Sequence, residues 1–351
     1  MTTATELAQS RANLVMVAPL PFNAEAPPDA LRDRITATDR HYVRSNFALP
    51  DHDGRLHIAG AVSAPIELTL DDLRSRPAKS LTMTMECAGN GRLDMKPLPI
   101  GEPWGGYAVS TASWTGTPLS ELLQSAGVLD GAVDVVFEGA DHGPYYQYDD
   151  VQFIRALPVA LSADPAANIL VAYEMNGEPL NADHGAPFRL IVPHWYGVAS
   201  VKWLSRMTVI TKPYRGEFQT AHYMYEWPNR AHEPVDIMLV RARVTEPAAE
   251  SHLSLGPCTV RGKAWSGHGP IVKVELSFTG EGDWFTAEVA EPESPYAWQE
   301  WSYAWTPAKT GRYSIRARAT DAAGNTQPDV PPWNRLGYGN NAVEVQYVEF
   351  H

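Results

Sequence analysis

The sequence predicts an α+β protein. A mixed α/β domain over residues 41–228 is followed by an all-β sandwich over 235–351, with an N-terminal arm at 1–40 in front. Three observations carry this. A chain of 351 residues is long for one core and comfortable for two domains. Up to about residue 228, short apolar runs bounded by Gly, Pro or Asn mix with helix-start patterns. Beyond residue 235, apolar and polar residues alternate between turn residues, which is the period of half-buried strands.

In chain order, "APLPFNAEAPPD" is rich in Pro and Ala and predicts an arm running extended over the surface. "LTLDDLRSRP" and "PLSELLQSAGV" predict short helices, each starting at a Thr or Ser cap, the second meeting a Gly near its end. "DVVFEG", "NILVAYEM" and "FRLIVP" suit strands, and "YEWPNRAHEPVD" suits a linker. "CTVRGKAW", "IVKVELSFTG", "YAWQEWSYAWTP", "GRYSIRARATDAAGN" and "NAVEVQYVEF" then predict an antiparallel sandwich of immunoglobulin-like size. In "SIRARATD", Ile315, Ala317 and Ala319 face one way.

Net charge is −13 with no Lys/Arg block, which disfavours nucleic acid and anionic membrane surfaces as partners. No apolar run approaches the length of a membrane span. The first residues show no basic region ahead of an apolar one, so no signal peptide is read; a cytoplasmic location is expected, with the periplasm left open. Cys87 and Cys258 could form one disulfide, but two cysteines imply no disulfide scaffold and a reducing compartment fits best.

GxSxG, HExxH, CxxC, CxxCH and GxGxxG are all absent, and "GPCTVRGKA" misses the P-loop spacing. What remains is "MTMECAGNGR". An isolated cysteine is ordinarily a small buried hydrophobe. Here Ala88, Gly89 and Gly91 offer no bulk to bury it and let something large approach the backbone, while Arg92 favours a thiolate. Glu86 opposes that unless it points away. The segment is therefore either a structural thiol or a metal or redox thiolate. A second set, "DHGAPFRLIVPHWYGVASVKW", places His184, Arg189, Ser200 and Lys202 around an apolar run, and Arg44 stands in "HYVRSNFALP". Such a set can be a solvated strand edge with a core histidine. Three basic, Gly- or Pro-framed segments together with one cysteine suggest a large anionic cofactor held by several loops.

These residues, with "YEMNGEPLNADHGAPFRLIVPHWYGVASVKWLSR", "FEGAD", "GKAWSG", "PPWNRLGYGNN" and the Trp104/Trp114 pair around "STA", resemble the sulfite oxidase family of molybdenum enzymes from about residue 40 onward. The resemblance implies a molybdopterin-binding domain of the sulfite oxidase type followed by a dimerisation domain, and hence a homodimer. It implies one molybdopterin per chain and Cys87 as the molybdenum ligand, the glycines making room for the cofactor. Tyr42, Val43, Arg44, Ser45 and Asn46 match the first pterin-contacting segment, and Asp141 the next. His184, Arg189, Ser200, Val201 and Lys202 match the segment holding the pterin and its phosphate. Arg44, Arg92, Trp104 and Tyr223 match the oxyanion pocket, Tyr225 being the neighbour that competes with Tyr223. Ser45-Asn46 stands where the family has Asn-His, Gly91-Arg92 where it has Arg-Arg, and Glu344 near the place of a further pocket arginine.

The resemblance implies oxidation of sulfite, or a similar small oxyanion, to sulfate. No haem module is expected in this chain, so the electrons pass singly to dioxygen or a separate cytochrome. Reduction of nitrate or a sulfoxide is the alternative with the same cofactor. A binding module built on eleven tryptophans and a sandwich is the non-enzymatic one.

Overall fold

The computed structural model describes residues 4–280 and 282–351. The arm does not run extended. It folds into helix α1 (Ala4–Arg11) and the hairpin β1 (Val15–Pro19)/β2 (Phe22–Glu25), followed by two short 3-10 turns. Tertiary contacts override its Pro-rich composition. Arg11 grips the Asp183 carboxylate through Nε at 2.9 Å and Nη2 at 2.7 Å, Ala24 pairs with Val43, and Asn23, Ala24 and Ala26 are fully buried. The arm is thereby tied to residues 41–46 and 183.

The first domain holds two sheets. Strands β3 (Arg55–Gly60), β4 (Ile66–Thr69), β7 (Asp134–Tyr145), β8 (Tyr148–Pro158) and β12 (Leu204–Ile210) form one, in the order β4-β3-β12-β7-β8. Strands β5 (Lys79–Glu86), β6 (Val109–Pro118), β9 (Leu170–Met175), β10 (Glu178–Pro179) and β11 (Arg189–Ile191) form the other, ordered β10-β9-β6-β5 with β11 on β9. Helix α2 (Leu70–Arg74) starts at the expected threonine: Thr69 Oγ1 accepts from Asp72 N, and Asp72 Oδ2 accepts from Thr69 N. Helix α3 (Leu119–Ala126) does not use the expected serine. Pro118 closes β6 at the cap position, because Leu119 N still donates to Ile169 O at 2.9 Å; Ser120 lies inside the first turn. Its end is as expected, with Gly127 at φ 68°. Leu119, Leu122, Leu123 and Ala126 are buried at helical spacing, each leucine contributing roughly 2 kcal/mol. A single turn, α4 (Val159–Ser162), follows β8.

The segment read as a linker contains a small hairpin, β13 (Met224–Tyr225) with β14 (Glu233–Pro234). Beyond it lies a sandwich. One sheet is β15 (Arg241–Glu246), β17 (Cys258–Trp265), β21 (Gln299–Trp305) and β20 (Glu288–Val289). The other is β16 (Ser251–Leu253), β23 (Val345–Phe350), β22 (Gly311–Asp321), β18 (Ile271–Ser277) and β19 (Phe285–Thr286). Ala242, Val260 and Trp301 of the first sheet share a core with Val274, Ile315, Ala317 and Ala319 of the second. Among the described residues the expected all-antiparallel pairing has one exception, since β16 runs parallel to β23. The two domains meet along β5: Thr84 N donates to Tyr296 O, and Trp298 N donates to Thr84 Oγ1.

Cys87 and Cys258 are both free, so the disulfide left open by the sequence does not form. Cys258 opens β17, opposite Trp305, and is only partly buried. Cys258→Ala should therefore cost about 1 kcal/mol of packing and leave metal binding intact. Urea unfolding and elemental analysis of the variant check this; loss of metal would mean that the wrong thiol has been chosen.

Candidate cofactor site

Strand β5 delivers Cys87 to the floor of a cavity enclosing about 650 Å³, its open mouth included. Cys87 N donates to Ala108 O at 2.9 Å, and Asn90 N turns back to Cys87 O at 2.9 Å. Tyr42, Val43, Arg44, Ser45 and Asn46 line the cavity from the arm side, Asp141 from β7, and Tyr223 from the segment before β13. His184, Arg189, Ser200 and Lys202 line it from the remaining side. Segments far apart in sequence thus converge around one thiol.

Each basic group is aimed by its neighbours. Arg189 donates to His184 O at 3.2 Å and Ser200 O at 3.1 Å, and its guanidinium lies over the Trp114 ring at 4.9 Å. Lys202 Nζ donates to Ser45 Oγ at 2.8 Å and Asp183 O at 2.9 Å. Arg44 donates to Ser45 O, to Asn46 Oδ1 at 2.6 Å and to Asn23 Oδ1 at 3.3 Å. Tyr223, at φ 58°, stacks on Tyr338 with ring centroids 5.2 Å apart. Tyr225 instead stacks on Trp227 and stays off the cavity wall.

Three sequence-predicted residues do not reach that wall: Arg92, Trp104 and Val201. Arg92 folds behind the cysteine loop, donating to Leu336 O at 3.0 Å and Glu102 O at 2.6 Å. Trp104 is fully buried in the cluster behind Cys87, with Met83 and Met85. Val201 points into the core of the first domain. The glycines also serve a different end from the one expected. A Cβ on Gly89 would lie 2.4 Å from Arg92 Nη2, and one on Gly91 2.9 Å from Arg241 Nη2. The room they make is filled by two arginines of this chain. His41, Asp183 and Trp203 line the cavity without having been singled out. His41, Asp183 and Trp203 adjoin the predicted residues Tyr42, His184 and Lys202, so extending each set by one residue would have found them.

Burial pushes the Cys87 thiol up, while Arg44, the Gly89 backbone and Arg92 pull it down. Burial, with Arg189 beside it, lowers His184 to about 3, and burial with His184 holds His41 well below the usual histidine range. Burial lowers Arg189 to about 10. It also lowers Lys202, where Arg189 adds repulsion, and raises Asp141 against the pull of Lys202. Arg189 Nε, His41 Nε2 and Asp141 Oδ1 are buried without a hydrogen-bond partner. Of these atoms Arg189 Nε is the unpaired donor, and it stands with Arg44 and Lys202 as desolvated cationic groups on the same wall as the thiol; an anionic, metal-bearing group would offset that crowded positive charge, so these residues fit such a cofactor.

The cofactor-free protein should lose stability in acid. His184 sits near 3 in the folded state against 6.5 as its ordinary value, and His41 is lowered too. Between those limits the unfolded chain binds more protons, so stability is present above about pH 6.5 and falls as pH drops toward 3. Thermal melts at pH 7.5 and 5 should show this fall, smaller in His184→Gln; equal falls in both proteins would remove His184 as its source.

Residues 46–218 match the family model described as the oxidoreductase molybdopterin binding domain, and residues 233–347 the Mo-co oxidoreductase dimerisation domain. The class is therefore that of proteins built from a molybdopterin-binding domain followed by a Mo-co dimerisation domain. Chicken sulfite oxidase is 34% identical over 90% of this chain and 74% of its own length. Mouse mitochondrial sulfite oxidase is 35% identical over 93% of this chain, which spans 64% of that relative's length. The NADH nitrate reductase of Solanum lycopersicum is 33% identical over 92% of this chain and 39% of its own. The sulfane dehydrogenase SoxCD of Paracoccus pantotrophus superposes with a TM-score of 0.83 at 27% identity, over 94% of this chain and 85% of that one. The chain belongs to the sulfite oxidase family. No helix among the described residues is long and apolar enough to cross a membrane.

Proposed function

We propose that this chain binds one molybdopterin, with Cys87 as the metal ligand, and oxidises sulfite to sulfate, passing electrons singly to dioxygen or a separate cytochrome. The observation that carries the reading is the single thiol on the floor of a cavity lined by Arg44, His184, Arg189 and Lys202. When bound, the cofactor supplies the two-electron redox chemistry. The chain's residues bind and orient. His184, Arg189, Ser200 and Lys202, with Tyr42, Val43, Ser45, Asn46 and Asp141, would hold the pterin and its phosphate. Arg44 and Tyr223 would hold the substrate oxygens, since the Arg44 fork is prepositioned by three acceptors. Trp104 and Arg92, behind the loop, exclude water and add positive charge near the thiol.

The sandwich we read as immunoglobulin-like and as the contact of a two-fold homodimer, supported by the dimerisation model at residues 233–347. Elemental analysis should find about one molybdenum per chain, and sulfite should bleach the metal's absorption band. A metal-free, colourless protein from cofactor-competent cells would reject the reading. The nitrate reductase relative favours nitrate reduction as a second reading. Nitrate turnover with a reduced viologen dye, without turnover of sulfite, would select it.

A further inference from the structure

The loop that carries Cys87 is held from the sandwich domain by a buried ion cluster. Glu86, one residue before the thiol, turns away from the cavity. Its Oε1 accepts from Asn90 Nδ2 at 2.8 Å and from Arg241 Nη1 at 3.0 Å; its Oε2 accepts from Trp265 Nε1 at 2.9 Å. Arg241 is the first residue of β15 and is 1% exposed. Its Nη1 also reaches Asn90 O at 3.3 Å, and its Nη2 pairs with Glu344. Arg243 meets the same Glu344 oxygen at 2.9 Å and donates to Gly106 O at 2.7 Å. Two carboxylates and two guanidinium groups thus balance charge inside the junction. Glu344, near the place where the resemblance puts a pocket arginine, is spent on this cluster.

The backbone is gripped from the same side. Gly339 N donates to Ala88 O at 2.8 Å, and Asn340 Nδ2 donates to Gly91 O at 2.7 Å. Gly91, at φ 76°, leaves the space that Arg241 Nη2 occupies. The first domain contributes the opposite hold, through Cys87 N on Ala108 O and Ala108 N on Asn90 Oδ1. An apolar contact of equal volume would join the domains at least as well, since burying ions costs desolvation. A charged joint adds direction, because a guanidinium spanning a carboxylate and a carbonyl fixes both in place.

We propose that Arg241, acting through Glu86 and Asn90, is a positioning residue for the Cys87 ligand, so that the sandwich domain is part of the metal centre. This rests on the reading of Cys87 as the metal ligand. A thiolate swung by a fraction of an ångström changes its overlap with the metal, which affects the metal's spectrum and turnover more than substrate capture.

The test uses the full chain loaded with cofactor, in the variants Arg241→Gln, Arg241→Lys and Glu86→Gln and the double variant Glu86→Gln/Arg241→Gln. Val274→Ala, a truncation in the sandwich core, controls for general destabilisation. The readouts are molybdenum per chain, the electron paramagnetic resonance spectrum of the one-electron-reduced metal, kcat and KM for sulfite, and Tm. Arg241→Gln should lower kcat at least tenfold with KM within threefold, and shift the spectrum. Arg241→Lys should lie between, keeping the charge without the fork. The double variant should recover at least threefold over Arg241→Gln, because a neutral amide pair leaves no buried carboxylate unpaired. Val274→Ala should lower Tm and keep the wild-type spectrum. Wild-type spectra in the Arg241 variants, a double variant no better than the single, or the same spectral shift in Val274→Ala would each overturn the proposal. If Arg241→Gln does not accumulate folded, Arg241→Lys and the double variant decide, and wild-type spectra in both overturn it. Cys87→Ser separates the two ideas. An unaltered spectrum in that variant rejects the ligand reading itself; an altered one beside unaltered Arg241 variants rejects the positioning role alone.

Discussion

Replacing Cys87 with serine is expected to leave the fold in place and reduce sulfite turnover at least about a hundredfold, more than losing an outer partner of a metal ligand costs. The fold survives because Cys87 is packed among Met83, Met85 and Trp104, and the substitution exchanges sulfur for oxygen with little change in volume. Its backbone bonds to Ala108 and Asn90 use N and O only and do not depend on the side chain. The chemistry does not survive, since a serine hydroxyl is far too weak an acid to supply an anionic ligand near neutral pH and is a harder donor than thiolate. Circular dichroism, molybdenum content and turnover of the purified variant measure the three parts separately. Near-normal turnover by a molybdenum-loaded Cys87→Ser protein would sink the assignment of the ligand.

Local patterns made the sandwich readable. Ile315, Ala317 and Ala319 are buried at period two because β22 lies inside a sheet, and the sequence alternates there for that reason. The arm was not readable in the same way. What folds it is Arg11 reaching Asp183, 172 residues away, and Ala24 pairing with Val43, and no window of sequence contains both partners. The cavity shows the same division. Residues 42–46 and 184–202 each carry several wall residues in one contiguous stretch, so their composition signals a site. Arg92 looked like a wall residue because it follows the cysteine closely. Its direction is set by acceptors at Glu102 and Leu336 and by the space above Gly89 and Gly101, which only the folded chain brings together. Glu344 was visible only as a departure from a pattern; its partners Arg241 and Arg243 lie about a hundred residues earlier.

The other large effect is expected at Arg44. A chain of net charge −13 does not attract a dianion at long range, so capture depends on a local positive field. Arg44 lines the cavity, whereas Arg92 does not. Burial pulls the Arg44 guanidinium down, but Tyr223 and Cys87 help to raise it above its ordinary value, so it stays charged at any working pH. Ser45 O, Asn46 Oδ1 and Asn23 Oδ1 fix its plane before substrate arrives, which removes an ordering cost from binding. Arg44→Gln should therefore raise KM for sulfite at least tenfold, or about 1.4 kcal/mol of binding. Arg44→Lys should recover only part of this, because an ammonium keeps the charge without the planar fork. Salt should change the wild-type KM only moderately, since a walled pocket is screened less than a surface. Arg92→Gln should behave differently. It removes the caps on Leu336 O and Glu102 O, so the loss should fall on kcat and Tm rather than on KM. Steady-state kinetics on the three variants decides between the two arginines. A KM that rises in Arg92→Gln and not in Arg44→Gln would mean that sulfite enters from the Leu336 side of the cysteine loop, with Arg44 serving the pterin alone.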